Sequence, residues 1–298
     1  MLAKTLFFSS PGRLSTKYEQ LVYDGEDGVH RTFPIEDLGY VVVETAQMSL
    51  SAAVLQKLAA ANVALVVCDG SHMPAAQLVA YAGHSTAQET VAAQFAASAA
   101  VQGRLWRQLV KGKIRNQAAL AERLGHDVLA RRLRTLADDV KNHDEANCEA
   151  QAARLYFQAL LNGVNRSPDG AWPNCALNYG YAILRAAVAR ALVGSGLLCI
   201  RGVHHHNRYD AFCLADDVME PYRPYVDQYV LGGQPPFDVP AAELTKEMKS
   251  RLLQMLTCDV QIGDVTRPLS IAVTITAASL AKYCLGKAEA LLLPEFVA

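Results

Sequence analysis

The chain has 298 residues and is 51% apolar, which is enough to bury a sizeable core and suits two domains better than one. Its 28 basic and 29 acidic side chains leave a net charge of -1, so no global basic field draws in a polyanion. Any contact with nucleic acid must come from local patches.

Residues 1–70 read as β-rich. Segments 5–9, 13–23, 31–35 and 40–44 are short and extended, separated by the turn signals Pro11-Gly12, Asp24-Gly25 and Asp27-Gly28. Residues 50–61 have helical spacing, with Leu50, Val54, Leu58 and Ala61 on one side. The β-branched run 63–68 predicts a strand, closed by Asp69-Gly70. After about Pro74 the pattern changes to long alanine- and leucine-rich stretches. Helices are predicted over 86–110, 116–124, 128–140, 143–162, 177–194, 214–230, 245–256 and 269–285, with a loop at 234–238. The expected fold class is α+β. A small N-terminal β-rich domain (1–75) precedes a large, mainly α-helical catalytic domain (85–298).

The seven cysteines, Cys68, Cys148, Cys175, Cys199, Cys213, Cys258 and Cys284, form no Cys-x-x-Cys pair. Their scatter predicts buried free thiols in a reducing cytosol rather than disulfides or a zinc site. The first apolar run is too short for a signal peptide, and Arg185 and Arg190 interrupt the apolar stretch 183–200. The expectation is a cytoplasmic protein with no membrane span.

Three segments call for a chemical explanation. Glu149 recurs at helical spacing with Ala146, Ala153, Tyr156 and Leu160, a small and apolar stripe. A carboxylate there must be paired, hydrogen-bonded, bound to a cation or left at the edge of the core. The run His204-His205-His206 follows Gly202-Val203 and the apolar stretch 197–200. It is either a solvated loop or the source of one imidazole for a metal. In the third segment, 214–224, Asp217 and Glu220 share a helix face and repel unless a cation lies between them. Arg223 offers the plainer partner, a salt bridge to Glu220, and Pro221 disturbs the helix beside it. Two carboxylates and one imidazole suit Mg²⁺ or Mn²⁺, which can activate water or a 3′-hydroxyl toward a phosphodiester. No Walker-type loop, Gly-x-Gly-x-x-Gly or Gly-x-Ser-x-Gly motif is present.

Four segments, in this order, resemble the integrase family of CRISPR adaptation. Residues 148–157 (CEAQAARLYF) are similar to its Glu-Gly-x-x-Ala-Arg-x-Tyr-Phe helix, with Ala150 in place of the glycine. Residues 174–184 (NCALNYGYAIL) resemble its Asn-x-x-Leu-Asn-Tyr-Gly-Tyr segment, 202–205 (GVHH) its Gly-x-x-His, and 214–224 (LADDVMEPYRP) its Leu-x-x-Asp-Leu-Met-Glu-Pro-Phe-Arg-Pro. The third motif looks most like the branch found with single-effector (type II) systems. The resemblance implies that Glu149, His205 and Glu220 are the catalytic metal ligands, with Asp217 and Arg223 in support. His205 is the third residue after Gly202, and the neighbouring histidines leave that choice open by one position.

It further implies a homodimer joined through the N-terminal β domain. Two such dimers would flank a dimer of a small second adaptation protein and hold double-stranded DNA, the captured spacer precursor and the repeat array. Each 3′-hydroxyl would attack a phosphodiester at a repeat end, and water in its place would give endonuclease cleavage. For DNA contact, the basic cluster Arg104, Arg107, Lys111, Lys113 and Arg115 is the first choice, ahead of 131–134 and 246–251. A stand-alone metal-dependent nuclease and a non-catalytic DNA-binding scaffold are the competing readings.

Overall fold

Short β-branched segments give way to long alanine- and leucine-rich ones near residue 85, and the chain divides there. The computed structural model describes residues 4–296 except 79, 81–83, 162–163, 168–171, 239–240 and 242. Contacts separate it into two units, Met1–Ser85 and Thr86–Ala298.

The first unit holds two sheets. One has the order β1 (Lys4–Phe8), β5 (Leu38–Val43), β7 (Ala64–Cys68), β8 (Pro74–Leu78). Its first three strands are parallel and β8 is antiparallel to β7. Every residue of β5 is buried, as expected of a central strand covered on both faces. The other sheet has the order β4 (His30–Pro34), β3 (Gln20–Gly25), β2 (Gly12–Lys17), β6 (Met48–Leu50). Helix α1 (Ala52–Ala60) sends Val54 and Leu58 into a core with Leu14, Leu21, Val41 and Leu65.

The predicted segment 13–23 is a hairpin rather than one strand. It reverses at Tyr18-Glu19, whose φ angles of 49° and 58° are left-handed. Such turns usually announce themselves with Asn or Gly, and neither is present. Strands β6 and β8 were not anticipated; β8 continues its sheet past residue 75.

The second unit is helical: α2 (Ala87–Ala96), α3 (Ala99–Arg123), α4 (Asp127–Asp139), α5 (Cys148–Leu160), α6 (Asn174–Gly194), α7 (Cys213–Met219), α8 (Arg223–Leu231), α9 (Lys246–Gln254) and α10 (Leu269–Cys284). The stretch 86–110 is broken at Ala97-Ser98, where the Ser98 hydroxyl accepts from the Val101 amide and starts a new helix. That helix then runs unbroken through the predicted 116–124. The stretch 214–230 is interrupted by a 3₁₀ turn, Glu220–Tyr222, carrying Pro221. A hairpin of β9 (Asp259–Ile262) and β10 (Val265–Pro268), joined by β11 (Pro294–Glu295), forms a small sheet that the sequence reading did not anticipate.

Helices α3 and α6 form the centre, with Leu105, Leu109, Ile114 and Leu120 of α3 and Leu177, Leu184, Val188 and Leu192 of α6 buried. Among the described residues, no helix is long and apolar enough to cross a membrane. All seven cysteines are free thiols, but Cys148, Cys199 and Cys213 alone are buried, while Cys68, Cys175, Cys258 and Cys284 are half-buried; desolvation pushes Cys199 and Cys258 up to about 12.

Placing Asn-Gly at Tyr18-Glu19 is expected to stabilise the β unit by roughly 1 kcal/mol, because both positions demand positive φ. Chemical denaturation followed by a β-sheet signal checks this; a lower midpoint would contradict it.

Candidate active site

The start of α5 is set by a buried acid. Asp144 accepts the amides of Cys148 and Glu149, both at 2.9 Å, and so closes the first turn. Positive φ at His143, Asp144 and Asn147 folds the chain sharply just before it. The predicted helix therefore begins at Cys148 instead of 143. Gly103 of α3 makes the approach possible, since a Cβ there would enter the His143 ring. Glu149 thus lies in the first turn of α5, toward α3.

Its counterpart comes from the interruption between α7 and α8. Glu220 opens the 3₁₀ turn and is buried. The Lys113 ammonium of α3 lies between the two acids, against Glu149 Oε1 and 2.5 Å from Glu220 Oε2. Arg223 Nε approaches the other oxygen, Glu220 Oε1, at 2.8 Å. Burial opposes ionisation of Glu220, but Arg223 and Lys113 overcome it and hold the carboxyl below its ordinary range. Burial likewise opposes the Lys113 charge, and Glu220 and Glu149 reverse that sign, raising the lysine. Glu149 and Glu220, 71 residues apart in sequence, are therefore brought to one cation.

The histidine run wraps around a third acid. Asp217 of α7 is fully buried. Its carboxylate accepts the backbone amides of Val203 (2.6 Å), His204 (2.9 Å) and His205 (3.2 Å), and stands 2.6 Å from His205 Nδ1. Gly202 permits this closeness, because a Cβ there would lie 2.9 Å from Asp217 Oδ2 and still nearer the His205 carbonyl oxygen. The Asp217 hydrogen bond raises the His205 imidazole above its usual value, against the opposing effect of burial. His204 has another task. It stacks on Trp106 with ring centroids 4.2 Å apart and planes at 3°, and burial lowers its pKa. His206 is exposed. The three neighbours thus differ in what they touch. Only His205 has a ring nitrogen fixed by a buried carboxylate, which leaves Nε2 for other work.

A second layer of contacts fastens these elements together. Asp227 of α8 accepts the phenols of Tyr156 (α5, 3.0 Å) and Tyr181 (α6). Burial pushes Asp227 up to about 6 even though Tyr181, Tyr156, Arg223 and Lys113 all pull it down. Gly180 lets α6 approach α8, where a Cβ would collide with Val226. Arg166 donates to Asn174 Oδ1 (3.0 Å) and Asn178 Oδ1 (2.6 Å). Arg223 lies over the Tyr181 ring, 4.6 Å from its centroid. Lys113, Glu149, Arg166, Tyr181, Glu220 and Arg223 all line a cavity of about 340 Å³. On the other side, the Asn116 amide nitrogen donates to the carbonyls of Pro221 (2.8 Å) and Pro294 (2.9 Å), and its oxygen accepts from the Phe296 amide (3.0 Å). One buried side chain therefore ties the Glu220 turn to residues 294–296.

Of the basic cluster on α3, Arg104, Arg107 and Arg115 are exposed and Lys111 is half-buried. Lys113 departs from that stripe and points inward to the carboxylates. Among the described residues, no three His, Cys, Asp or Glu side chains stand together at metal-ligating spacing. Lys113 separates two of the acids, and Asp217 engages the imidazole. The parts that sequence reasoning missed are Lys113 as an internal cation, Asp144, Asn116, Arg166 and the Tyr156–Asp227–Tyr181 group. Only the tyrosines lay in quoted motifs.

Asp144→Ala is expected to lower unfolding free energy by about 1–2 kcal/mol, as loss of a helix cap does, measured by chemical denaturation. Asp217→Asn should loosen the 202–206 loop. Amide exchange at Val203, His204 and His205 rises about tenfold or more, the weight of hydrogen bonds to a charged acceptor; unchanged protection by mass spectrometry would contradict the wrapping described.

Residues 6–233 match the family described as CRISPR associated protein Cas1. A CRISPR-associated endonuclease Cas1 of Neisseria meningitidis serogroup C (strain 8013) is 37% identical over 88% of this chain and 86% of its own length. A Cas1 endonuclease of Pyrobaculum aerophilum is 27% identical over 91% of this chain and 95% of its own. In fold, the chain resembles a casposase bound to integration product, with a TM-score of 0.77 and 18% identity over 98% of this chain and 92% of that one. It also resembles a Cas1 protein from Thermotoga maritima, with a TM-score of 0.76 and 17% identity over 95% and 98% of the two chains. The four motifs, the β-then-helical architecture and these matches agree: the chain belongs to the Cas1 family of CRISPR-associated proteins.

Proposed function

We propose that the protein is a divalent-cation-dependent DNA integrase. It joins the 3′-ends of a short captured duplex to the ends of a repeat by transesterification, and cuts DNA when water replaces the 3′-hydroxyl. The reading rests on one observation: Glu149 and Glu220 meet at a single cation, and the charge of Glu220 is felt by His205, whose Nδ1 is fixed by a buried acid. The Lys113 ammonium already bridges the two acids, as a shared cation would. With the Lys113 ammonium moved aside, Glu149, Glu220 and His205 Nε2 would supply oxygen donors with one nitrogen, a choice of donors that suits Mg²⁺ or Mn²⁺. Asp217 supports the imidazole as metal-binding histidines require. When bound, the ion supplies polarisation of the phosphodiester under attack.

The chain's own groups do the rest. Arg223 is held between Glu220 and the Tyr181 ring at the cavity wall, placed to neutralise a phosphate oxygen. Arg104, Arg107, Lys111 and Arg115 run along one side of α3 and hold backbone phosphates without reading sequence. Among the solved structures alike in fold, one is a casposase on its integration product and another a Cas6-RT-Cas1–Cas2 complex with a TM-score of 0.72. They support double-stranded DNA as substrate and a second adaptation protein as partner. The working form is a homodimer joined through the β unit, acting in the cytoplasm.

The test is integration of a labelled duplex into a supercoiled repeat-bearing plasmid, with Mn²⁺ or Mg²⁺ and the partner protein. Glu149→Ala, His205→Ala and Glu220→Ala are each expected to lower joining by at least about 100-fold, with none in chelator. If the intact protein cuts but never joins, it is a nuclease instead. If the variants join as the intact protein does, the site is misplaced.

A further inference from the structure

Lys113 is the group that neither the motifs nor the reaction accounts for. Its side chain is 8% exposed and reaches from α3 into the gap between α5 and the 3₁₀ turn. Two acids there face two cations, Lys113 and Arg223, so the cluster is neutral as it stands. Adding a divalent ion without any other change would leave a buried excess of two positive charges, which is strongly disfavoured. Withdrawing one of the existing cations from the carboxylates halves that excess.

The two are unequal in this respect. Arg223 is planar, lies over Tyr181 and touches only Glu220 of the pair. Lys113 has a flexible four-carbon stem and a compact charge placed between both acids. It also borders the cavity of about 340 Å³, so its ammonium can swing away from the acids without leaving the site. There it would stand near Arg166 and Arg223, where a phosphate would offset the charge.

We propose that Lys113 is a built-in place-holder for the catalytic cation. Its ammonium keeps Glu149 and Glu220 in register when no metal is bound, competes with the metal for them, and moves into the adjoining cavity when the metal enters. This rests on the reading of Glu149 and Glu220 as metal ligands. It adds that the unloaded site is pre-shaped by an internal cation and that metal affinity is held down by that competitor.

The experiment uses the full chain, with Mn²⁺ binding followed by electron paramagnetic resonance of the free ion and melting followed in chelator. Lys113→Met is expected to melt at lower temperature without metal and to bind Mn²⁺ more tightly, on the order of tenfold, because the competing charge is gone. Added Mn²⁺ should then narrow the melting gap to the unaltered chain. Weaker or unchanged Mn²⁺ binding by Lys113→Met, with binding by the unaltered chain intact, overturns the proposal and makes Lys113 a fixed strut. Glu149→Gln serves as the separate control. If the unaltered chain binds no Mn²⁺ that this substitution abolishes, the metal site itself is wrong. Should Lys113→Met not fold, the unaltered chain still decides: acylation of Lys113, read by peptide mass spectrometry, rises when Mn²⁺ is added if the ammonium is displaced, and stays flat if it is not.

Discussion

Two carboxylates brought together inside a helical unit repel one another, and much of the larger unit is arranged to offset that repulsion. Lys113 and Arg223 approach Glu220 from opposite sides, and Lys113 alone spans to Glu149. The breaks in the helices follow from the same need. An uninterrupted helix over 214–230 would keep Glu220 in the regular i, i+4 pattern of one rod. The 3₁₀ turn at Glu220–Tyr222 ends α7 and starts α8 around the acid, so its side chain faces α3.

Three other buried acids serve as anchors, two for backbone and one for side chains. Asp144 gathers the amides that open α5, Asp217 gathers those of the histidine loop, and Asp227 gathers two phenols from neighbouring helices. In each case the carboxylate is satisfied by several donors, which is the condition for keeping a charge away from water. The pattern explains why the motif residues are small or polar at particular places. Gly202 clears room for Asp217, and Gly180 clears room for α8. Asn174 and Asn178 receive Arg166.

Much of this was legible from residue order. The change from short β-branched runs to long helical periodicity announced the β-rich-then-helical fold class, and the apolar stripe around Glu149 left open a partner or a place at the core edge; the side chain has both, with Lys113 against it and 28% of it exposed. What could not be read were effects that depend on distant pieces of chain. The Tyr18-Glu19 reversal lacks the usual turn residues and is held by the pairing of β2 with β3. The start of α5 at Cys148 depends on Asp144 folding back, and no periodicity reports a cap of that kind. Lys113 lies in a run of basic residues that reads as a DNA-contacting cluster. Its inward direction follows from its position on α3 relative to Ile114, Asn116 and Gln117, all buried, and not from its charge.

The Asn116 clamp has a bearing on when the protein becomes competent during its own synthesis. Pro221 is translated long before Pro294 and Phe296, yet all three converge on one amide side chain. A ribosome-bound chain that has emerged only through α8 holds Glu149, His205 and Glu220 but lacks two of the three contacts that seat Asn116 against the Glu220 turn. Domains fold largely as they emerge. The Asn116 contacts to Pro294 and Phe296 therefore form only once residues 294–296 have arrived, and until then the contact to Pro221 is the one of the three that the chain can make.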